Sequence, residues 1–209
     1  VWCWDITYLN SPIRGKFFYL YAAMDVFSRK IVAAEVHPAE NSDLAAAMIA
    51  RAARAENIAK ESLVLHSDNG GPMKGATLLA TLQRLGVMTS FSRPRVSDDN
   101  PYSEALFRTA KYRPEYPDGP FPSIAAAARW TRWFLQWYNH EHLHSGIRFV
   151  TPAQRHDGLD HAVLQARRLV YEAARASNPH RWSRRIRDWS RIDSVRLNPA
   201  HASSRSEVA

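Results

Sequence analysis

The sequence predicts an α/β fold in which three antiparallel strands come first and further strands then alternate with helices, in the order βββαβαβ. Two observations carry this prediction. Val1 to Leu9, Lys16 to Met24 and Ile31 to Val36 are rich in aromatic and β-branched residues and are separated by short polar stretches, the pattern of strands joined by hairpin turns. Beyond residue 42 the apolar spacing changes to that of amphipathic helices, broken by the short apolar runs Leu63-Val64-Leu65 and Val87 to Phe91.

Each element has a local reason. Phe27-Ser28-Arg29-Lys30 interrupts the second apolar block and sets the turn before the third strand. Ser42 is the expected cap of a helix from about Asp43 to Glu56, with Asp43 in its first turn and Leu44, Met48 and Ala52 on one face. Leu63-Val64-Leu65 runs into Ser-Asp-Asn-Gly-Gly, as a strand buried on both faces runs into a tight loop. Leu78, Leu82 and Leu85 mark a second helix that stops at Gly86. Ser92 to Asp99 is a polar surface loop, after which Asn100-Pro101 supplies a cap and a proline for the first turn of a helix reaching Tyr112. Four prolines between Tyr112 and Pro122 make a connector. Ser123 caps a long helix whose Trp130, Trp133, Phe134, Trp137 and Tyr138 have the spacing of a buried stripe. Thr151-Pro152 opens a short helix ending near Gly158, and Val163, Ala166, Val170 and Ala174 lie on a last long one. From Ser177 onward the chain reads as a polar tail in which arginines interleave with Trp182, Ile186 and Trp189.

Composition narrows the function. With 45% apolar and 23% charged residues the 209-residue chain can bury a sizeable core. Its longest apolar run, Phe17 to Met24, is far short of the roughly 18 residues of a membrane-spanning helix. Cys3 is the single cysteine, so no internal disulfide forms, and with no signal-like segment a cytoplasmic location is expected. The chain opens at Val1 inside an aromatic strand, which predicts a fragment of a longer protein with its first strand clipped. Of 28 cations 23 are Arg, and the net charge of +8 is uneven: residues 1–120 carry +1 and residues 121–209 carry +7. That asymmetry points to a polyanionic partner, nucleic acid before an anionic membrane.

Three carboxylates stand where burial disfavours charge: Asp5 within a strand, Asp68 at the end of a central strand, and Glu104 on a helix. Clustered carboxylates repel one another unless a cation lies between them, and magnesium prefers such hard oxygen ligands. Two ions about 3.5 to 4 Å apart suit in-line displacement at phosphorus. Thirty-five residues separate Asp68 from Glu104, with Trp-x-Asp-x-Thr-Tyr at Asp5, His-Ser-Asp-Asn-Gly at Asp68 and Ser-Asp-Asp-Asn-Pro-Tyr-Ser-Glu at Glu104.

These residues closely resemble the catalytic core of retroviral-integrase-like, Asp-Asp-Glu transposases of bacterial insertion sequences. Asp25-Val26-Phe27-Ser28-Arg29, Lys111, Trp137-Tyr138-Asn139, His144-Ser145 and Thr151-Pro152-Ala153 extend the resemblance over nearly the whole chain. It implies a ribonuclease H-like fold, a five-stranded mixed sheet with its first three strands antiparallel and flanked by helices, followed by C-terminal helices and a basic tail. By the same resemblance Asp5, Asp68 and Glu104 are catalytic and ligate two Mg2+ ions, with Mn2+ a substitute, for hydrolysis at the element end and strand transfer of the 3'-hydroxyl into DNA. Lys111 is expected to contact DNA near the scissile phosphate and Arg108 to assist from the same helix face; Arg93, Arg95, Arg184 and Arg185 are further DNA-binding candidates. The domain reading is a core over residues 1–145, a helical extension over 146–176 and a basic, partly disordered tail over 177–209. The N-terminal DNA-binding region of full-length members is expected to be absent, and homo-oligomers on DNA are expected. Two alternatives stand beside it: a catalytically defective DNA-binding remnant, and a ribonuclease-H-like nuclease without strand transfer.

Other residues are better read as structural. Asp25 adjoins a turn, and His66 precedes the acidic loop without being needed as a base. His140, His142 and His144 alternate at a spacing that a helix spreads over different faces.

Overall fold

The computed structural model describes residues 1–93 and 99–197. Strands β1 (Trp2–Asn10), β2 (Phe17–Asp25), β3 (Ile31–His37), β4 (Val64–Ser67) and β5 (Met88–Phe91) form one sheet in the order β3-β2-β1-β4-β5. The β1/β2 and β2/β3 pairs are antiparallel, whereas β1/β4 and β4/β5 are parallel. The sheet is therefore mixed, with its first three strands antiparallel, as the sequence predicts. Asp5 sits opposite Ala22 within the unbroken β1/β2 ladder.

Strand alternation sorts β1 between two cores. Trp2 and Trp4 point into one cluster with Tyr21, Leu65, Met48, Ile49, Leu78 and Leu82, covered by α1 (Ser42–Ala55) and α2 (Ala76–Leu85). Cys3 and Leu9 point into the other with Leu20, Met24, Leu106, Phe107, Phe134 and Tyr138, covered by α3 (Pro101–Lys111) and α4 (Ile124–His140). At about 25 cal/mol per Å2, burying the 150–250 Å2 of one tryptophan contributes roughly 4–6 kcal/mol before entropy. Asp5 and Thr7 share the parity of Cys3 and Leu9, which aims them at α3.

The helix ends show where local signals mislead. Asn41, rather than Ser42, caps α1, accepting from the Asp43 amide at 2.6 Å. Asn100 caps nothing at α3; its amide instead donates to the Trp4 carbonyl at 3.3 Å. Ser123 caps α4 as expected, and Thr151 forms a full capping box with Gln154 at α5 (Pro152–His156). Within the α4 stripe Phe134 and Tyr138 are buried, but Trp133 is 41% exposed. It does not belong to the core, and Arg113 lies over its ring at 5.3 Å.

The largest departure is at the C-terminus. Residues 178–197, expected as a solvated polar tail, form an irregular strap that returns over the domain after α6 (Asp160–Ser177). Trp189 is 7% exposed and meets Tyr171 of α6 at 5.3 Å. Arg191 pairs with the buried Asp160 at 2.7 Å, and Tyr102 of α3 donates to the Arg196 carbonyl at 2.8 Å. The interleaved tryptophans that read as a tail motif thus serve partly as its anchor. Residues 198–209 of the tail expected to be partly disordered lie outside the described residues.

Candidate active site

The parallel register of β1 and β4 pairs Trp2 with Leu65 and Cys3 with His66. Two residues further along each chain stand Asp5 and Asp68, so neighbouring strands bring these two carboxylates to the same region. Glu104 arrives from the exposed side of the first turn of α3, the helix that packs across β1.

Their proximity is felt electrostatically. Burial pushes the Asp5 carboxyl up to about 7, the Ile6 amide bonded to Asp5 Oδ1 at 2.7 Å opposes this, and the charges of Asp68, Glu104 and Glu40 raise it further. Asp68 is oriented by the Gly70 amide, which donates to its Oδ1 at 2.9 Å. Space is tight at Gly70: a Cβ would lie 3.1 Å from both Asp68 Oδ1 and Met73 Sδ. Glu40, in the loop before α1, also raises the pKa of the Tyr8 hydroxyl. Nothing in the sequence marks Glu40, because a lone glutamate between β3 and α1 carries no pattern.

Hydrogen bonds between the supporting elements hold these like charges near one another. His66 Nε2 lies 3.0 Å from the Asp99 carbonyl, which only accepts, so Nε2 carries the proton and Nδ1 accepts from the Ser90 hydroxyl at 3.0 Å. Burial lowers its pKa and favours that neutral form. His66 thereby ties the Asp68 strand to β5 and to the residue just before Asn100 at the start of α3. Asn69 adds a bond to the Ser92 carbonyl at 2.7 Å, and Asn100 ties the start of α3 to the backbone one residue before Asp5. Asp25 holds its turn, accepting from the amide and hydroxyl of Ser28 at 2.7 and 2.8 Å.

The cationic candidates have diverse surroundings. Lys111 Nζ donates to Thr7 Oγ1 at 2.7 Å, which sets it over β1 two residues from Asp5, and partial burial lowers its pKa. Arg108 is exposed, 5.8 Å over the Tyr112 ring. Arg93 is engaged by Asp99 through its Nε and Nη2 at 3.0 and 2.8 Å. Arg95 falls outside the described residues. Arg184 and Arg185 are exposed on the C-terminal strap, away from any bond to the acidic residues. His142 and His144 pack against Tyr138 at 5.2 and 6.3 Å, and His144 Nδ1 accepts from the Gly146 amide.

Among the described residues no three His, Cys, Asp or Glu side chains converge tightly enough to enclose a metal ion. The donor chemistry nonetheless fits a hard divalent cation. Three carboxylates on separate elements repel one another through Asp5, and a shared cation reverses that repulsion.

The integrase core domain family matches the chain twice, over residues 1–97 and over residues 85–152. The transposase of insertion sequence IS904 from Lactococcus lactis subsp. lactis is 29% identical over 153 residues, 73% of this chain and 59% of that protein. The putative transposase InsK of IS150 from Escherichia coli is 24% identical, covering 73% and 53% respectively. The chain thus spans less than two thirds of the length of either relative. The catalytic core domain of BIV integrase superposes with a TM-score of 0.53 at 21% identity, over 77% of this chain and 95% of that one. The HTLV-2 integrase catalytic core, solved in complex with magnesium, gives 0.54 at 15% identity, over 73% and 93%. The fold is accordingly ribonuclease H-like. Two integrase core domain models together match residues 1 to 152, so the chain carries an integrase core domain, similar in sequence to two insertion-sequence transposases.

Proposed function

We propose that this chain is the catalytic core of a metal-dependent DNA transposase that hydrolyses a phosphodiester at an element end and joins the freed 3'-hydroxyl to a second DNA. The observation that carries the reading is the approach of Asp5, Asp68 and Glu104 from β1, the β4 loop and α3, whose charges add to the burial that chiefly raises the Asp5 carboxyl to about 7. These three side chains would hold Mg2+, with Mn2+ as a substitute, in line with the magnesium bound by the HTLV-2 core. Bound divalent ions supply Lewis-acid activation of the attacking oxygen and stabilisation of the leaving one.

The remaining work falls to the chain's own groups. The Gly70 amide holds one oxygen of Asp68, leaving the other for ligation. Lys111, seven residues beyond Glu104, places an ammonium beside the β1 acid and offers it to a phosphate oxygen when Thr7 releases it. Arg108 extends the same face of α3, and Arg93, Arg95, Arg184 and Arg185 add positive charge for the DNA backbone. No described helix is long and apolar enough to cross a membrane, and we place the chain in the bacterial cytoplasm, acting on DNA as a homo-oligomer.

A strand-cleavage and joining assay on branched DNA tests the proposal. Asp5→Asn, Asp68→Asn and Glu104→Gln are expected to abolish both products while keeping a cooperative melt. Full activity in Glu104→Gln would remove Glu104 from the mechanism. Cleaved ends without joined DNA would favour a nuclease, and binding with neither product would favour a defective remnant.

A further inference from the structure

A second basic feature lies outside the acidic site, where the C-terminal strap folds back along α6. Between them runs an open cleft of about 650 Å3, floored by Trp189 and walled by Arg168, Glu172 and Arg175 on one side and Arg185 and Arg187 on the other. Positions 168, 172 and 175 share one face of α6 by helical spacing. Two acids also border the cleft, and both are already neutralised. Glu172 accepts from Arg168 Nε at 2.8 Å. Asp188 accepts from Arg148 at 2.7 Å and from the amide and hydroxyl of Ser190 at 2.8 and 2.6 Å. Among the described residues Arg175, Arg185 and Arg187 enter no ion pair, and Arg187 is held over the Phe149 and Trp189 rings at 5.1 and 5.6 Å.

We infer that this cleft binds the phosphodiester backbone of DNA. Its cations are spread along a channel rather than gathered on one point, which suits a polyanion better than a single small anion. The run from Arg168 to Arg175 covers about 10 Å of helix axis, the length over which one DNA strand presents about three phosphates. The cleft is also preformed. Arg191 and Arg155 fasten the strap to the buried Asp160 and through the Ile192 carbonyl, so binding requires little ordering. The strap continues to Arg196, whose carbonyl is bonded by Tyr102 two residues before Glu104. A strand seated in the cleft is thereby fixed relative to the helix that carries the third acid.

The inference rests on the reading of the chain as a DNA-processing core, and its test separates the two. Fluorescence anisotropy with a labelled mixed-sequence duplex, in EDTA and across a salt series, measures binding without chemistry. Replacing Arg175, Arg185 and Arg187 together by Ala should lower the slope of log K against log salt by about 3, at roughly 0.9 for each phosphate no longer neutralised. The triple Lys variant should keep the slope because it keeps the charge. A control with the same loss of charge at exposed sites elsewhere, Arg54→Ala, Lys60→Ala and Arg84→Ala, should also keep it. An unchanged slope in the cleft variant, an equal drop in the control, a drop in the Lys variant, or no DNA binding by the unaltered chain would each overturn the inference. Strand cleavage by the unaltered chain with an unchanged slope would spare the transposase reading and sink the cleft. An arginine-dependent slope in a chain that never cuts would do the reverse.

Discussion

Replacing Asp5 by Asn should make the metal-free protein more stable above neutral pH while removing a ligand of the proposed metal site. In the folded chain the Asp5 carboxyl is raised from its ordinary 3.8 to about 7, chiefly by burial and then by the charges of Asp68, Glu104 and Glu40. The unfolded chain releases this proton near the ordinary value, so between about pH 4 and 7 the folded state binds more protons than the unfolded. Stability therefore falls as pH rises through that window and stays low above it. A shift of roughly three units at about 1.4 kcal/mol each gives an upper bound near 4 kcal/mol, and relaxation of the side chain leaves about 2. Asparagine keeps the shape and cannot ionise. Urea melts in EDTA should therefore give Asp5→Asn an advantage of about 2 kcal/mol at pH 8, or about 4–8 °C in melting temperature, and near equality at pH 4. Saturating magnesium should reverse the order, since ligand at 100 times its Kd adds about 2.7 kcal/mol to the unaltered chain and little to the variant. A variant less stable than the parent at pH 8 in EDTA would refute the electrostatic account of this site.

Three further outcomes follow from single contacts. Gly70→Ala puts a Cβ 3.1 Å from Asp68 Oδ1 and Met73 Sδ; metal affinity by calorimetry should drop at least tenfold with a stability loss of about 1 kcal/mol, and unchanged affinity would dissociate Gly70 from the site. Asp160→Asn leaves Arg155, whose side chain is fully buried, and Arg191 without their shared carboxylate; a loss of about 3–5 kcal/mol and faster tryptic cleavage within residues 181–196 are expected, and slow cleavage would mean that contacts other than Asp160 hold the strap. Burial keeps His144 mainly neutral, lowering it to about 4 from an ordinary 6.5. The unfolded chain takes up this proton first as pH falls, so stability is lost between about pH 6.5 and 4, by about 2 kcal/mol after allowance for partial exposure; His144→Asn should flatten that part of the pH–stability curve, and an unflattened curve would assign it elsewhere.

Much of this architecture is written in local pattern. The alternation in β1 that sends Trp2 and Trp4 to one core and Cys3 and Leu9 to the other is legible in the order of the residues, and the same alternation aims Asp5 at α3. Asp5 is legible because it breaks an apolar strand and Asp68 because it ends one, whereas Glu104 sits on an exposed polar face and is marked by its motif and its spacing from Asp68. Contacts that close over long separations are not legible. Asn41 and Ser42 are equally good caps by residue type, and the choice between them depends on how the chain leaves β3, where the Asn41 amide bonds Tyr21 Oη at 2.7 Å. The strap reads as a solvated tail because its periodicity is neither helical nor extended. Its attachment depends on partners such as the Phe27 ring, 5.3 Å beneath the Arg191 guanidinium, which lies more than a hundred residues away in sequence. Arg93 reads as a free cation because nothing in the spacing announces that Asp99, six residues on, will close back upon it.

The acidic site itself shows why local and global rules part company there. Asn100 has the residue type and position of a helix cap, yet it leaves the first turn of α3 without a side-chain acceptor and spends its amide on the Trp4 carbonyl. A cap is worth about 1 kcal/mol, and its surrender is reasonable only if the cross-strand bond does something a cap cannot. It joins the start of the Glu104 helix to the backbone beside Asp5. His66 makes the corresponding link from the Asp68 strand through the Asp99 carbonyl, and Lys111 makes another to Thr7 at the far end of α3. All three bonds run between elements, and none uses the carboxylate of Asp5, Asp68 or Glu104. The elements that carry the three acids proposed to share a cation are thus joined by bonds that leave those carboxylates uninvolved. Conflict with the local rule is where function is expected to leave its mark on a foldable sequence, and in this chain the mark falls at the joint between β1 and α3.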